Sequence, residues 1–194
     1  MQKEWSRYSV LYSVQGFRYC DLLLGQGKYQ EVLGRAKETL KLQKESWCSL
    51  LSVALDHLSL GRAHLLQAQR EGTGDFSQAG AHLDQAVDGL RQAGTQHHIP
   101  RGLLARAELR RVMDDVTGAQ RDLEEALSIA TRGGMRLHEA DCRLEYARLH
   151  LACGEEEKAR QSLAKAKAMI EDMGYHRQDG EVAELEGALG SLKH

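Results

Sequence analysis

The sequence has few residues that interrupt helices and few that fill a large aromatic core. Its 194 residues include one Pro, two Phe and two Trp. A proline in a helix interior removes a backbone donor and breaks the helix, so its scarcity leaves long helices uninterrupted. Ala, Leu, Gln, Glu and Arg are abundant, and all five favour helices. The composition therefore predicts an all-α fold.

An excess of positive charge is also missing. The chain has 26 basic and 28 acidic residues, a formal net charge of -2. Proteins that bind nucleic acid or anionic membranes usually carry a basic surplus. No apolar run approaches the roughly 20 residues of a membrane span, and the first ten residues lack the apolar core of a signal peptide. We expect a soluble, cytoplasmic protein without a nucleic-acid or membrane partner.

The cysteines form no recognisable pattern. Cys20, Cys48, Cys142 and Cys153 are scattered, and no two have CxxC spacing. This spacing favours neither a zinc ribbon nor a disulfide framework. We interpret all four as small buried hydrophobic residues in a reducing compartment.

A repeat of forty residues organises the later part of the chain. Small and large apolar residues recur at helical spacing, followed by a glycine, in three stretches that align when the frame is shifted by forty. The aligned sets are Ala79, Leu83, Ala86, Leu90 and Gly94, then Ala119, Leu123, Ala126, Ala130 and Gly134, then Ala159, Leu163, Ala166, Ile170 and Gly174. Such periodicity is typical of repeat proteins, whose core is a row of interfaces between stacked units.

The helices between these stretches complete a series of hairpins. We predict units over residues 3–44, 46–94, 98–134 and 136–174, with a capping helix over 180–192. Ser46 and Asp75 are predicted helix caps, and Pro100 occupies a first-turn position that tolerates proline. Residues 114–118 are predicted to be a turn, and residues 135–153 a helix buried on two sides, with Leu137 on one of its apolar stripes.

The pattern resembles the tetratricopeptide repeat family. Gly61, Ala107 and Ala147 supply the small residue midway along each first helix, and the aligned sets supply small, large and small residues in each second helix. The forty-residue period is similar to a longer subtype, found in sensor arms of bacterial signalling ATPases and in maltose-activator-type transcription regulators. The segments MRLHEAD at 135–141 and MGYHR at 173–177 are similar to sequences of that subtype. The resemblance covers about residues 12–192 and implies a single right-handed α-solenoid over 1–194, with about four helix-turn-helix units and a C-terminal helix.

The resemblance also implies a concave groove lined by the first helix of each unit. Carrying the groove-lining positions over gives Phe17, Asp21, Leu58, Arg62, Arg101, Leu104, Glu108, Asp141, Leu144 and Arg148. This groove would have mixed charge and a leucine floor, which suits an amphipathic peptide. The family's carboxylate clamp uses Lys and Asn at these positions and is not reproduced.

Several arginines are concentrated on one predicted helix. Arg101, Arg106, Arg110 and Arg111 lie within eleven residues. They fit a solvated face with intrahelical pairs such as Glu108 with Arg111. The alternative is a surface that binds carboxylates or phosphates, because a guanidinium binds these groups bidentately.

Catalysis has little support in the sequence. It contains no GxSxG, HExxH or phosphate-loop motif, so we expect neither an enzyme nor a cofactor. His97 and His98 are interpreted as solvated loop residues. His138 and Cys142, four residues apart, could share a zinc ion but are interpreted as incidental. A metal protein or enzyme using His138, Cys142 or His150 is the weakest alternative.

The sequence therefore favours a non-catalytic scaffold that binds a peptide segment or partner domain in its groove. The alternative is a regulatory sensor arm from a larger signalling ATPase or transcription regulator, binding a protein or a small ligand. Tyr8, Tyr12 and Phe17 also predict self-association through an aromatic end of the first unit.

Overall fold

The described part of the chain is helical throughout. The computed structural model describes residues 13–44 and 49–191, and within these ranges it contains helices and no strand. The helices are α1 (Ser13–Gly25), α2 (Tyr29–Lys44), α3 (Leu50–Glu71), α4 (Ser77–Gln92), α5 (Ile99–Val112), α6 (Val116–Arg132), α7 (Arg136–Ala152), α8 (Glu156–Met173) and α9 (Asp179–Ser191), with a short 3-10 helix at His176–Gln178. The predicted all-α class is confirmed.

The chain divides into two compact units, Met1–His98 and Ile99–His194. In the first unit, α3 is central and packs on α1, α2 and α4. In the second unit, each helix from α5 to α9 packs on the next, and α5 also contacts α7, which in turn contacts α9. The single right-handed solenoid over 1–194 stays a prediction.

The repeat positions form the interfaces between helices. All twelve apolar residues of the three aligned sets are at most 6% exposed. The glycine that ends each set has a positive φ, of 65° at Gly94, 61° at Gly134 and 62° at Gly174. A left-handed glycine stops a helix without steric strain. The forty-residue pattern therefore encodes both the packing surface of each second helix and the point at which the chain leaves it.

Two helices begin at residues that differ from the predicted ones. The side chain of Ser49 caps α3 by accepting a hydrogen bond from the Ser52 amide at 3.2 Å, whereas the predicted cap, Ser46, lies outside the described residues. Helix α6 begins at Val116, inside the predicted turn. The reason is that Asp115 caps it, its Oδ1 accepting from the Gly118 amide at 2.9 Å, so the first turn is already helical.

Several predicted buried or exposed positions are reversed. Leu137 is 47% exposed, although its spacing predicted burial, because it lies in the first turn of α7. Cys20 and Cys142 are buried as expected, but Cys153 is exposed at the end of α7, and Cys48 lies outside the described residues.

Phe17 does not contribute exposed surface to the predicted aromatic end of the first unit. Phe17 is 2% exposed, so its ring packs inside the first unit and offers no surface to a second copy. Tyr8 and Tyr12 lie outside the described residues.

Among the described helices, none combines the length and the apolar character that crossing a membrane requires.

A close approach of α3 and α4 explains the glycine at position 61. A Cβ added to Gly61 would lie 2.6 Å from Cγ and 3.1 Å from the backbone nitrogen of Leu83, a side chain with no exposed surface. A Cβ added to Gly34 on α2 would meet no atom within 4 Å. The two glycines lie in helices of the same unit but in opposite steric environments.

We expect Gly61→Ala to destabilise the protein by about 1–3 kcal/mol, because overpacking outweighs the better helix propensity of alanine. Gly34→Ala is the matched control and should stabilise by up to about 1 kcal/mol, because only the propensity changes. Urea unfolding followed by circular dichroism measures both. Equal effects of the two substitutions would contradict the close packing of α3 on α4.

Candidate functional site

Three of the ten predicted groove residues lie in the core instead. Phe17 is 2% exposed, Leu58 is fully buried and Leu144 is 1% exposed. A side chain without accessible surface cannot contact a partner, so the predicted leucine floor at Leu58 and Leu144 is wrong. These positions face inward because the apolar stripe of a first helix packs on its own hairpin and on the neighbouring one.

Two more predicted residues bind each other. Arg62 on α3 donates from Nη1 to Oδ1 of Asp21 on α1 at 2.5 Å. The side chains are 28% and 12% exposed, so the pair is largely withdrawn from solvent. Their charges tie two helices of the first unit together.

Arg148, another predicted groove residue, also forms ion pairs, in the second unit. It lies on α7 between Glu145 on the same helix, at 3.2 Å, and Glu181 on α9, at 2.6 Å. Burial alone would lower the pKa of Arg148, but the two carboxylates outweigh burial and raise it. The guanidinium therefore stays charged and bonded.

Glu145 extends this contact to a third helix. Its Oε1 also accepts from Nε of Arg111 on α5 at 2.6 Å, and Glu145 itself is 5% exposed. Arg111, Glu145, Arg148 and Glu181 thus form a continuous series of ion pairs across α5, α7 and α9, which we call the ion-pair ladder. The sequence did not indicate Glu145 and Glu181 as partners of Arg148, because the only evidence for these pairs in the sequence was the presence of opposite charges on successive first helices.

A second buried network joins α5 to α6. Arg106 binds Asp122 bidentately, from Nε at 2.9 Å and from Nη2 at 2.8 Å. Arg110 contacts the same carboxylate at 2.9 Å and donates to the carbonyl of Gly118 at 3.0 Å. Asp122 is 2% exposed. With Arg111 in the ion-pair ladder, three of the four clustered arginines therefore bind buried carboxylates of neighbouring helices, which neither interpretation of the cluster predicted.

The remaining predicted residues lie on partly accessible surface of the second unit. Arg101, Leu104 and Glu108 are half-buried on α5, and their spacing of three and four places them on one face of the helix. Leu104 packs against the core that contains Ala107 and Leu123.

Asp141 is the centre of a small polar cluster beside this face. Its Oδ1 accepts from Nε2 of Gln178 at 2.6 Å, and its Oδ2 lies 3.7 Å from Nδ1 of His138. Tyr175 is half-buried, and its pKa is raised by burial and then by the charge of Asp141, while Arg177 and Arg101 oppose the rise. We call His138, Asp141, Tyr175 and Gln178 the Asp141 cluster.

Sequence reasoning identified only Asp141 among these four. His138 was considered as a metal ligand, and Tyr175 falls in the phrase at 173–177 that resembles the repeat subtype. Gln178 carried no signal, because the turn after α8 determines where its side chain points. The candidate site is therefore the α5 face of Arg101, Leu104 and Glu108 together with the Asp141 cluster, and we call it the first-helix face.

The metal-binding alternatives receive no geometric support. Within residues 13–44 and 49–191, no three His, Cys, Asp or Glu side chains are arranged to hold a metal ion. Burial raises the pKa of the Cys142 thiol to about 12, which disfavours the thiolate form that binds zinc. His98, predicted to be solvated, is 7% exposed and meets the ring of Phe17 edge-on at 6.3 Å between centroids.

Comparison with protein-family models gives no match, and comparison with curated protein sequences gives none either.

We expect Asp122→Ala to destabilise the protein by about 3–5 kcal/mol, because it leaves the buried Arg106 without its counter-charge. Asp172→Ala is the matched control. It removes an ion pair with Arg136 whose side chains are 64% and 53% exposed, which should cost less than about 1 kcal/mol. Guanidinium unfolding measures both. A small effect at Asp122 would mean that Arg106 finds another partner or reaches water.

Proposed function

We propose that the chain is a non-catalytic, cytoplasmic interaction module that binds a peptide segment or a partner domain on its first-helix face. The observation that carries this proposal is the burial of the repeat positions. The apolar residues that repeat every forty positions are used in packing. Some residues that differ between repeats, such as Arg101 and Glu108, keep accessible surface, and variable surface positions are typical of repeat proteins that bind partners.

The contacts among the first helices also support the proposal. Helix α7 contacts both α5 and α9, and the ion-pair ladder joins the same three helices. A surface supported in this way loses little conformational entropy when a partner binds, because it is already ordered. Arg148 and Glu145 therefore contribute by holding the helices in place rather than by contacting the partner.

The chemistry of the first-helix face suggests the kind of partner. Arg101, Glu108 and Asp141 provide both signs of charge, and Leu104 and Tyr175 are half-buried apolar surfaces among them. An amphipathic helix or extended peptide with charges of both signs matches such a surface better than a uniformly charged polymer does. The net charge of -2 is consistent with this choice.

A regulatory sensor arm of a larger protein is the second candidate. The forty-residue spacing favours it, since that spacing is shared with the subtype described above. In this role, ligand binding to the first-helix face would shift a parent protein between two states.

Selection from a displayed peptide library against the full chain tests the proposal. Peptides that bind the wild-type chain are then measured against the charge-swapped variant Arg101→Glu/Glu108→Arg, which keeps the net charge. We expect affinity to fall by about tenfold or more, which corresponds to loss of one or two favourable charge contacts at an interface.

The matched control is Arg121→Glu/Glu124→Arg, an equivalent swap of two exposed residues on α6. It should leave affinity within about twofold, since a distant surface charge contributes little to a short-range contact. Circular dichroism confirms that both variants fold. Equal binding to the wild-type chain and the first variant would refute this surface, and failure to select any peptide would refute the peptide-binding function.

A further inference from the structure

Three imidazole rings lie together between α3 and α4 in the first unit. Nδ1 of His57 on α3 is 2.9 Å from Nδ1 of His82 on α4. The ring of His64, two turns further along α3, is parallel to that of His82, with 1° between their planes and 5.8 Å between centroids. We call these three residues the histidine cluster. Neither the repeat pattern nor the proposed binding surface requires it.

The contact between His57 and His82 limits how many protons the cluster can hold. A hydrogen bond between two ring nitrogens needs one N–H donor and one unprotonated acceptor. When both rings carry a charge, both nitrogens are donors and the bond cannot form. At most one of these two residues can therefore be charged while α3 and α4 remain packed as described.

The third ring is equally unsuited to carrying a charge. Nε2 of His64 is buried and has no hydrogen-bond partner. Burial lowers the pKa of both His64 and His82, and the ammonium of Lys37 on α2 lowers both further; His82 also lowers the pKa of His64. A proton on His64 would be desolvated and would face a parallel ring that is itself titratable.

Charged side chains also lie on the helices that pack on one another in this unit. From α1, Asp21 is already bound to Arg62 of α3. The charge of Asp56 on α3 raises the pKa of the Cys20 thiol. Asp84 on α4 is exposed. Lys37 adds positive charge from α2. Protonation of His64 or His82 therefore adds to the positive charge of Lys37, which already lowers the pKa of both rings.

We propose that the histidine cluster is a proton-sensitive element that loosens the packing of α4 on α3 when the pH falls from neutral to about 5.5. The species that the histidine cluster binds is a proton. A metal ion is not proposed, because no three such side chains in the described residues are placed to hold one.

The direction of the effect follows from linkage. Unfolded histidine has a pKa of about 6.5, and the folded cluster has lower values at His64 and His82. Below about 6.5 the opened state binds protons that the packed state excludes, so acid favours opening. Above that pH His64 and His82 are neutral in both states and contribute no pH dependence.

Hydrogen exchange of the full chain, in buffer containing EDTA, tests this proposal. Exchange rates of α3 and α4 amides are corrected for the intrinsic effect of pH and converted to opening equilibria at pH 7.5 and 5.5. We expect about tenfold more opening at pH 5.5, because this pH lies about one unit below the pKa of an exposed histidine, where one proton bound only by the opened state favours that state about tenfold.

The variants separate the cluster from other titrating groups. His82→Gln removes the ring that contacts both other rings. It should reduce the increase in opening between pH 7.5 and 5.5 to about threefold or less, because fewer protons then bind only to the opened state. Lys37→Gln removes an exposed charge that lowers the pKa of His64 and His82, so it should also reduce the increase in opening at pH 5.5. Because Lys37 is exposed, this variant tests the proposal even if His82→Gln fails to fold. His97→Gln removes an exposed imidazole outside the cluster and should leave the wild-type response.

Equal opening of the wild-type chain at the two pH values would overturn the proposal. So would a full acid response in both His82→Gln and Lys37→Gln, because the titrating groups would then lie elsewhere.

Discussion

The structure depends on small residues facing large ones where helices cross. Gly61 meets Leu83 so closely that no Cβ fits between them, and Ala107 packs in one cluster with Leu123, as Ala147 does with Leu163. A small residue lets two helices approach within 8–10 Å, and the leucine then fills the space beside the crossing. Because this contact recurs in three successive hairpins, these hairpins are supported by similar interfaces, and the core is distributed along the chain.

Charged contacts complement this apolar packing in the second unit. Asp122 and Glu145 are both nearly inaccessible, yet each is bonded to two arginines. Buried ion pairs of this kind add little net stability compared with apolar residues, but breaking one is costly because the partner charge is left unpaired. Their effect is to specify which helices meet and in what register. The proposed binding surface lies on helices that are fixed in this way, and the peptide experiment examines it separately from the fold.

The first unit combines the same type of packing with a different polar interior. Where the second unit uses arginines and carboxylates, the interface of α3 and α4 contains His57, His64 and His82. Ion pairs between arginine and carboxylate keep their charges over a wide pH range, whereas imidazoles change charge near neutrality. The acid response proposed for the α3–α4 interface follows from this side-chain chemistry rather than from the repeat.

The sequence by itself determined the helical class, the forty-residue period and the buried face of each second helix, because small and large residues at fixed spacing allow one way to pack. It also indicated Arg101, Glu108 and Asp141 as surface candidates. Only the tertiary structure decided that Phe17, Leu58 and Leu144 are core residues, and that Arg62 and Arg148 are bound to carboxylates. The physical reason is that periodicity identifies the face of a helix, whereas the partner of a charged side chain depends on which helices are brought together. Contacts such as Arg148 with Glu181, or His57 with His82, join residues far apart in sequence, and no local pattern specifies them.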